Sequence, residues 1–122
     1  MSGETTAGVT RVEKPWGYEL WWAQTEAYVG KIIHVMAGHA LSLQYHNRKV
    51  ETIYLYSGKL LFEIQEGERL VGREMVPGER VHVPAGTVHR MTAIEESDIF
   101  EVSTPFLEDV VRLDDRYGRA ER

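Results

Sequence analysis

The chain has 122 residues, which is enough for one domain built around one hydrophobic core. No apolar run approaches the roughly 20 residues that a membrane span needs, and the net charge of −5 does not favour nucleic acid as a partner. The chain has no cysteine, so any metal must be bound through nitrogen and oxygen atoms. The first residues lack the pattern of a signal peptide, and we expect a cytoplasmic protein.

The elements predicted along the chain are almost all strands. Residues 1–11 are expected to form a flexible N-terminal segment, followed by a single domain over residues 12–122. From Gly17 onward, short segments rich in Val, Ile, Leu, Tyr and Trp alternate with Gly, Pro, Asn or acidic residues, which is typical of strands. These strands are placed at about 17–23, 29–36, 41–46, 51–57, 59–66, 69–76, 80–84, 88–93, 97–103 and 109–113. The tail, RLDDRYGRAER, is the best place for a short helix, and the whole pattern predicts an all-β sandwich or barrel.

The stretch 38–58, GHALSLQYHNRKVETIYLYSG, carries polar side chains among apolar strand residues. Side chains alternate along a strand, so Gln44 and His46 point to the same side. After a turn at 47–49, the next strand starts with Glu51, and its antiparallel return brings Glu51 back beside His46. Burying a carboxylate or an unpaired amide costs several kcal/mol unless it is neutralised, which a divalent cation would do.

A fourth ligand is predicted in the segment PGERVHVPAGTVHRMTA. One strand ends at Pro84, the chain turns through Gly86, and His89 opens the next strand. Two imidazoles, one carboxylate and one amide oxygen form a donor set suited to Zn, Mn, Fe, Ni or Co, with room for water or substrate. The alternative is a hydrogen-bonded polar cluster without metal. The predicted metal ligands are Gln44, His46, Glu51 and His89.

The order and spacing of these residues resemble the two sequence motifs of the cupin family. The first motif is matched by Gly38, Gln44, His46, Glu51 and Gly58. The second motif is matched by Gly78, Pro84, Gly86 and His89. Two positions depart from the usual pattern, because many cupins have histidine in place of Gln44 and asparagine in place of Ala93. The resemblance implies a single jelly-roll barrel, the cupin double-stranded β-helix, over residues 12–122.

A glutamine as the first ligand makes the chain similar to mannose-6-phosphate isomerases. The similarity extends over LSLQYH, KPWGYE at 14–19, PAGTVHR, and EVSTPFLEDVVRLDDRYGR at 101–119, and covers about residues 12–119. It implies one zinc-like divalent metal and a sugar or sugar-phosphate substrate. Residues 47–49 stand where those enzymes usually have a histidine-rich run, and Thr52 stands where they often have histidine.

Two residues are candidates for catalysis. Lys31 shares a strand face with Ile33, and Glu101 alternates with Phe100 and Val102, so each can face either the cavity or the solvent. Aldose to ketose isomerisation needs a Lewis acid and a base that moves a proton between adjacent carbons, and we predict Glu101 as the base with Lys31 assisting. Two other functions stay open: a non-catalytic sugar- or small-molecule-binding cupin, and an iron-dependent dioxygenase.

The remaining histidines and the arginines of the tail have two explanations each. A lone histidine in a strand is either a satisfied structural residue or a residue that lines the site, and this choice is open for His34 and His82. The tail arginines either bind a phosphate group or form salt bridges on an exposed segment. These arginines are Arg112, Arg116 and Arg119.

Apolar and aromatic residues are concentrated near the N-terminus of the domain. They are Trp16, Tyr18, Leu20, Trp21 and Trp22. A barrel of this size is not expected to bury all five side chains on both faces of one edge strand, and small cupins commonly pair. We therefore predict a homodimer.

Overall fold

A computed structural model describes residues 3–6 and 8–120 of the chain. The strands in this part of the chain are β1 (Gly3–Thr6), β2 (Val9–Lys14), β3 (Gly17–Gln24), β4 (Val29–Val35), β5 (Leu43–Tyr45), β6 (Glu51–Glu66), β7 (Arg69–Met75), β8 (Arg80–Val83), β9 (His89–Ser103) and β10 (Val111–Asp114). The described residues contain no helix, so the all-β prediction is confirmed, and the tail, which was the best place for a short helix, forms none over residues 112–120. Within those same residues, no helix is long and apolar enough to cross a membrane.

The strands form one antiparallel sheet that curls around the core. Neighbours run in the order β1-β2-β3-β4-β9-β5-β10, and β6 pairs with β7, β8 and β9. The long strand β9 is central because it pairs with three others, β4, β5 and β6. Its first residue lies opposite β5, and its residues 97–103 lie opposite β4. One strand therefore brings residues from both of its ends to the interior of the barrel.

Two long strands replace four shorter ones that the sequence predicted. The predicted strands 51–57 and 59–66 are joined in β6, and those at 88–93 and 97–103 are joined in β9. Gly58 lies where β6 bends and its pairing with β9 shifts register. Its φ of 94° is left-handed, and a Cβ atom there would lie 2.3 Å from a backbone oxygen of β9. Glycine therefore allows the strand to bend and continue where the sequence pattern indicated a break.

The N-terminal strands were not predicted. β1 pairs with β2, and β2 pairs with β3, both in antiparallel register. Of the segment 1–11 that we expected to be flexible, residues 1, 2 and 7 lie outside the described residues. The pairing of β1 and β2 does not measure motion, so the flexibility of this segment stays a prediction.

The interior of the barrel holds an apolar group and a charged group of side chains. The apolar core consists of Trp16, Ile33, Val35, Ile53, Leu55, Leu60, Phe62, Met75, Val83, Met91, Ala93 and Ile99. The buried charged or ionisable side chains are Glu19, Lys31, His46, Lys49, Glu51, His89 and Glu101. In β6 and β9 the two groups share one face, since Glu51 precedes Ile53 and Glu101 follows Ile99 at strand spacing. Burying so many ionisable groups is costly, which points to a functional interior.

Candidate metal centre

Three parts of the barrel bring two imidazoles and a carboxylate together. His46 directly follows β5, Glu51 opens β6 and His89 opens β9, and all three are buried. The Nε2 atoms of His46 and His89 lie 3.5 and 3.0 Å from Glu51 Oε2. One ligand atom from each residue lies within 4.8 Å of the others. At this spacing three side chains can share one cation.

Each of these histidines is held through its other ring nitrogen. His46 Nδ1 donates to the backbone carbonyl of Asp109, and His89 Nδ1 donates to the carbonyl of Thr87 at 2.9 Å. Because a carbonyl only accepts, Nδ1 carries a proton. Nε2 can then donate to Glu51 when the ring is protonated, or present a lone pair to a cation when the ring is neutral. A backbone-bound Nδ1 with a free Nε2 is the arrangement of metal-ligating histidines. The donor set therefore fits a divalent cation.

Gln44 lies beside these three side chains. Its backbone pairs directly with that of His89, so both side chains point to the same face of the sheet. Its amide nitrogen donates to Ser42 Oγ at 3.0 Å, which turns the amide oxygen away from Ser42. The four predicted ligands, Gln44, His46, Glu51 and His89, all line one cavity. Metal binding by this set stays a prediction.

Asp109 orders the loop between two of the candidate ligands, and the sequence offered no signal for it. Its carboxylate accepts hydrogen bonds from the backbone N–H groups of residues 47, 48 and 49 at 3.0, 2.6 and 2.9 Å. Burial alone would raise the pKa of Asp109, but these hydrogen bonds lower it. The carbonyl of the same residue holds the His46 ring. Asp109 therefore positions both the loop and a candidate ligand.

Lys49 is the second site residue that sequence reasoning missed. Its side chain turns inward from the loop, and its Nζ lies 3.2 Å from Glu51 Oε1 and 3.0 Å from Glu101 Oε2. All three side chains are buried. The distances are those of ion pairs, yet neither oxygen has a hydrogen bond of good angular geometry among the described groups. The described protein groups therefore satisfy the negative charge of these two carboxylates only in part, and a bound cation would balance the rest.

The two carboxylates beside Lys49 differ in pKa. Burial by itself raises the pKa of Glu51, but hydrogen bonds with His46 and His89 and the charge of Lys49 hold it well below its usual range. Burial raises the pKa of Glu101, and the charge of Glu51 raises it further. The charges of Lys49 and Lys31 lower this pKa, but the net shift is upward. Glu51 is thus the carboxylate suited to bind a cation, and Glu101 is the one suited to accept a proton.

Lys31 lies directly opposite Glu101 in the β4–β9 pair, and both side chains are buried. The Nζ atom of Lys31 is 3.3 Å from Glu19 Oε1, which also accepts a hydrogen bond from Trp21 Nε1 at 2.8 Å. Lys31 and Glu101 line the same cavity as the candidate metal ligands, with a volume of about 80 Å³. Both residues therefore face inward, and their catalytic roles stay predictions.

The histidines whose position the sequence left open lie outside this cavity. His34 is on the outer face of the barrel, where its two ring nitrogens lie 2.6 Å from carboxylate oxygens of Asp98 and Glu96. His82 is exposed and pairs with the hydroxyl of Thr52 at 3.2 Å. These two histidines have structural partners away from the candidate ligands.

The tail arginines divide between the cavity and the surface. Arg112 and Arg119 line the cavity. Arg116 is exposed and donates to the backbone carbonyl of Gly38 at 2.8 Å. The backbone of Arg112 pairs with that of Gln44 across β10 and β5, which places this guanidinium on the same sheet face as a candidate ligand.

The sequence matches known proteins over most of its length. A family model, mannose-6-phosphate isomerase C-terminal, matches residues 3–115. The mannose-1-phosphate guanylyltransferase ManC of Salmonella typhimurium is 34% identical over 88% of this chain, and an Escherichia coli mannose-1-phosphate guanylyltransferase is 33% identical over the same share. This chain spans 23% of the length of each of these two relatives.

Solved structures show the same barrel at lower identity. Oxalate decarboxylase from Bacillus subtilis superposes with a TM-score of 0.79 at 18% identity, over 91% of this chain and 31% of that one. KdgF from Halomonas sp. superposes with a TM-score of 0.65 at 20% identity, over 86% of this chain and 88% of that one. The predicted cupin barrel is therefore confirmed, and the chain belongs to the mannose-6-phosphate isomerase C-terminal family of cupins.

Proposed function

We propose that this chain is a metal-dependent isomerase that interconverts the aldose and ketose forms of a hexose phosphate, such as mannose 6-phosphate and fructose 6-phosphate. One observation carries the proposal: Glu101, a buried carboxyl group with a raised pKa, lines the same cavity as the His46, Glu51 and His89 cluster. A base and a candidate Lewis-acid site beside one cavity are the two requirements of this reaction. The match to the isomerase family model supports the same chemistry.

The residues have distinct parts in the proposed reaction. Gln44, His46, Glu51 and His89 would hold the metal, which would polarise the carbonyl and the adjacent hydroxyl oxygen of the sugar. Glu101 would remove the proton from C2 of the aldose and return it to C1, while the hydroxyl proton passes from O2 to O1, so that the C1–C2 double bond of the enediol gives way to the C2 carbonyl of the ketose. Burial raises the pKa of Glu101, which brings its proton affinity closer to that needed near neutral pH.

The lysines around Glu101 complete this arrangement. Lys31, across the β4–β9 pair from Glu101, places a positive charge near the enediolate oxygens of the proposed intermediate. Lys49 lies between Glu101 and Glu51 and holds the carboxyl group of Glu101 in place. Of the metals that the donor set allows, zinc is our proposal, with Mn, Fe, Ni or Co as alternatives.

The proposal is tested by the substitution Glu101→Gln. We expect turnover of hexose phosphate to fall by about two to four orders of magnitude, the usual contribution of a positioned general base, while metal content stays unchanged. The matched control is Glu95→Gln, which removes an exposed carboxylate from the same strand. Full activity in the Glu101→Gln protein would show that the base is another group.

A second candidate function is a non-catalytic module that binds a sugar or another small molecule. It is favoured by the ion pair of Glu101 with Lys49, since a base held by a buried ammonium group is less available to take up a proton. Metal-loaded protein that isomerises no hexose phosphate, yet is thermally stabilised by one, would support this function.

Assembly into a homodimer remains our proposal. Of the residues that suggested it, Trp16 is buried in the core, whereas Trp22 is half exposed. A light-scattering mass near twice the chain's 14.0 kDa would support the dimer, and a mass near 14.0 kDa at micromolar concentration would exclude it.

A further inference from the structure

The cavity is basic although the chain is acidic. The whole chain has a net charge of −5. Basic side chains lining the cavity are Lys14, Lys31, Lys49, Arg112 and Arg119, and acidic ones are Glu19, Glu51 and Glu101. Even when Asp115, which pairs with Arg119, is added, the basic groups outnumber the acidic groups. A positive excess in a cavity of an acidic protein favours an anionic ligand.

Three of these basic groups form a cluster apart from the metal ligands. Lys14 is at the end of β2, Arg112 is in β10, and Arg119 follows the turn after β10. Arg112 and Arg119 lie close enough to Lys14 to act on its charge. Burial lowers the pKa of Lys14, and the positive charges of Lys31 and these two arginines lower it further, whereas the charge of Glu19 raises it. Like charges have thus been brought together in a half-buried position.

Two carboxylates near this cluster are each shared between two basic groups. Glu19 lies 3.3 Å from Lys31 and also acts on Lys14. Asp115 accepts two hydrogen bonds from the Arg119 guanidinium, at 2.9 and 3.0 Å, and also acts on Arg112. Each of these two carboxylates therefore acts on two basic groups, and the cavity lining keeps a positive excess that an anionic ligand would reduce.

We propose that Lys14, Arg112 and Arg119 form a binding subsite for the phosphoryl group of the substrate. This inference rests on the proposed function, which it deepens by naming the residues that select a phosphorylated sugar. Guanidinium groups present paired N–H donors that match phosphate oxygens, and a lysine adds a mobile point charge. The backbone pairing of Arg112 with Gln44 links the subsite to the metal centre, so one ligand can reach both.

The subsite is tested first with inorganic phosphate on protein freed of metal by a chelator, because a bound metal would itself attract phosphate. We expect phosphate to raise the melting temperature of the unaltered chain. In Lys14→Gln and Arg112→Gln, affinity for phosphate should fall about 10- to 100-fold, while the conservative changes Lys14→Arg and Arg112→Lys should retain most of it. The control Arg69→Gln, an exposed residue of β7, should bind phosphate like the unaltered chain.

A second measurement needs no variant. Metal-free protein should be stabilised by fructose 6-phosphate at concentrations where fructose has no effect. Equal stabilisation by both sugars, or equal phosphate affinity in the unaltered, Lys14→Gln and Arg112→Gln proteins, would overturn the subsite.

The subsite and the proposed reaction fail in different ways. If phosphate binding is lost in both variants but no hexose phosphate is isomerised, the subsite stands and the proposed reaction is wrong. If the chain isomerises hexose phosphates and Arg112→Gln leaves the KM unchanged, the reaction stands and the subsite is wrong.

Discussion

The barrel has two places where a basic side chain lies between two carboxylates. Inside, Lys49 lies between Glu51 and Glu101, with exposed side-chain fractions of 6%, 3% and 5%. Outside, His34 lies between Glu96 and Asp98, with exposed fractions of 15%, 56% and 37%. The charge pattern is the same when His34 is protonated, and the two clusters differ in burial and in the type of basic group.

Burial decides what such a cluster can do. On the surface, water solvates all three charges, so the cluster contributes little to stability and does not bind other charges strongly. In the interior, charges interact strongly and each unpaired group is costly, so the cluster either binds a further ion or shifts the pKa of a member. Both features are present inside, where Glu101 has a raised pKa and Glu51 lies beside two inward-facing imidazoles.

The largest difference between the two clusters should be metal binding. We expect His46→Ala and His89→Ala each to weaken binding of a divalent metal at least about 100-fold and to lower the melting temperature of metal-loaded protein, because metal bound only by the folded state adds its binding free energy to folding. The control His82→Ala removes an exposed histidine and should keep one ion per chain. Elemental analysis after dialysis measures this, and full occupancy in both variants would exclude the site.

A smaller effect is expected from removing the basic residue of the inner cluster. Lys49→Met leaves two buried carboxylates without their cation, and we expect the free energy of unfolding of metal-free protein to fall by about 3 kcal/mol. Adding Glu101→Gln should restore part of this loss, since one of the two charges is then absent. Urea denaturation measures both values.

The outer cluster provides the matched comparison for that experiment. His34→Gln should lower the free energy of unfolding by about 1 kcal/mol or less. A similar loss in Lys49→Met and His34→Gln would show that burial does not separate the two clusters as we infer.

The sequence predicted the candidate ligands better than their surroundings. Gln44 and Glu51 lie on strands and His46 directly follows one, so alternation indicated the direction of these side chains, and the motif spacing supported His89. Lys49 lies in a loop whose shape depends on hydrogen bonds to Asp109, 60 residues further along the chain, so nothing local indicated its inward direction.

The direction of Glu101 could not be predicted for a different reason. Its strand is apolar on both faces, since Ile99 is buried on the inner face while Val102 is exposed on the outer face. Alternation shows which residues share a face but not which face is inside. The number of strands was ambiguous as well. Glycine at position 58 is typical both of a break between two strands and of a bend within one strand.

The smallest predicted effect is the pH dependence of the outer cluster. Burial alone would lower the pKa of His34, but its hydrogen bonds to Asp98 and Glu96 raise it above the ordinary value of 6.5. Because the folded state binds the proton more tightly, this contribution to stability is complete below about pH 6 and is lost as the pH rises through the raised pKa. Tyr18 stacks on the His34 ring, and the two carboxylates that hydrogen-bond this ring set the effect. The free energy of unfolding of the unaltered chain should therefore exceed that of His34→Gln by up to about 1 kcal/mol at acidic pH, with no difference near about pH 9. Urea denaturation across this range, with His82→Gln as the control, measures the difference, and parallel curves for the unaltered and His34→Gln proteins would contradict it.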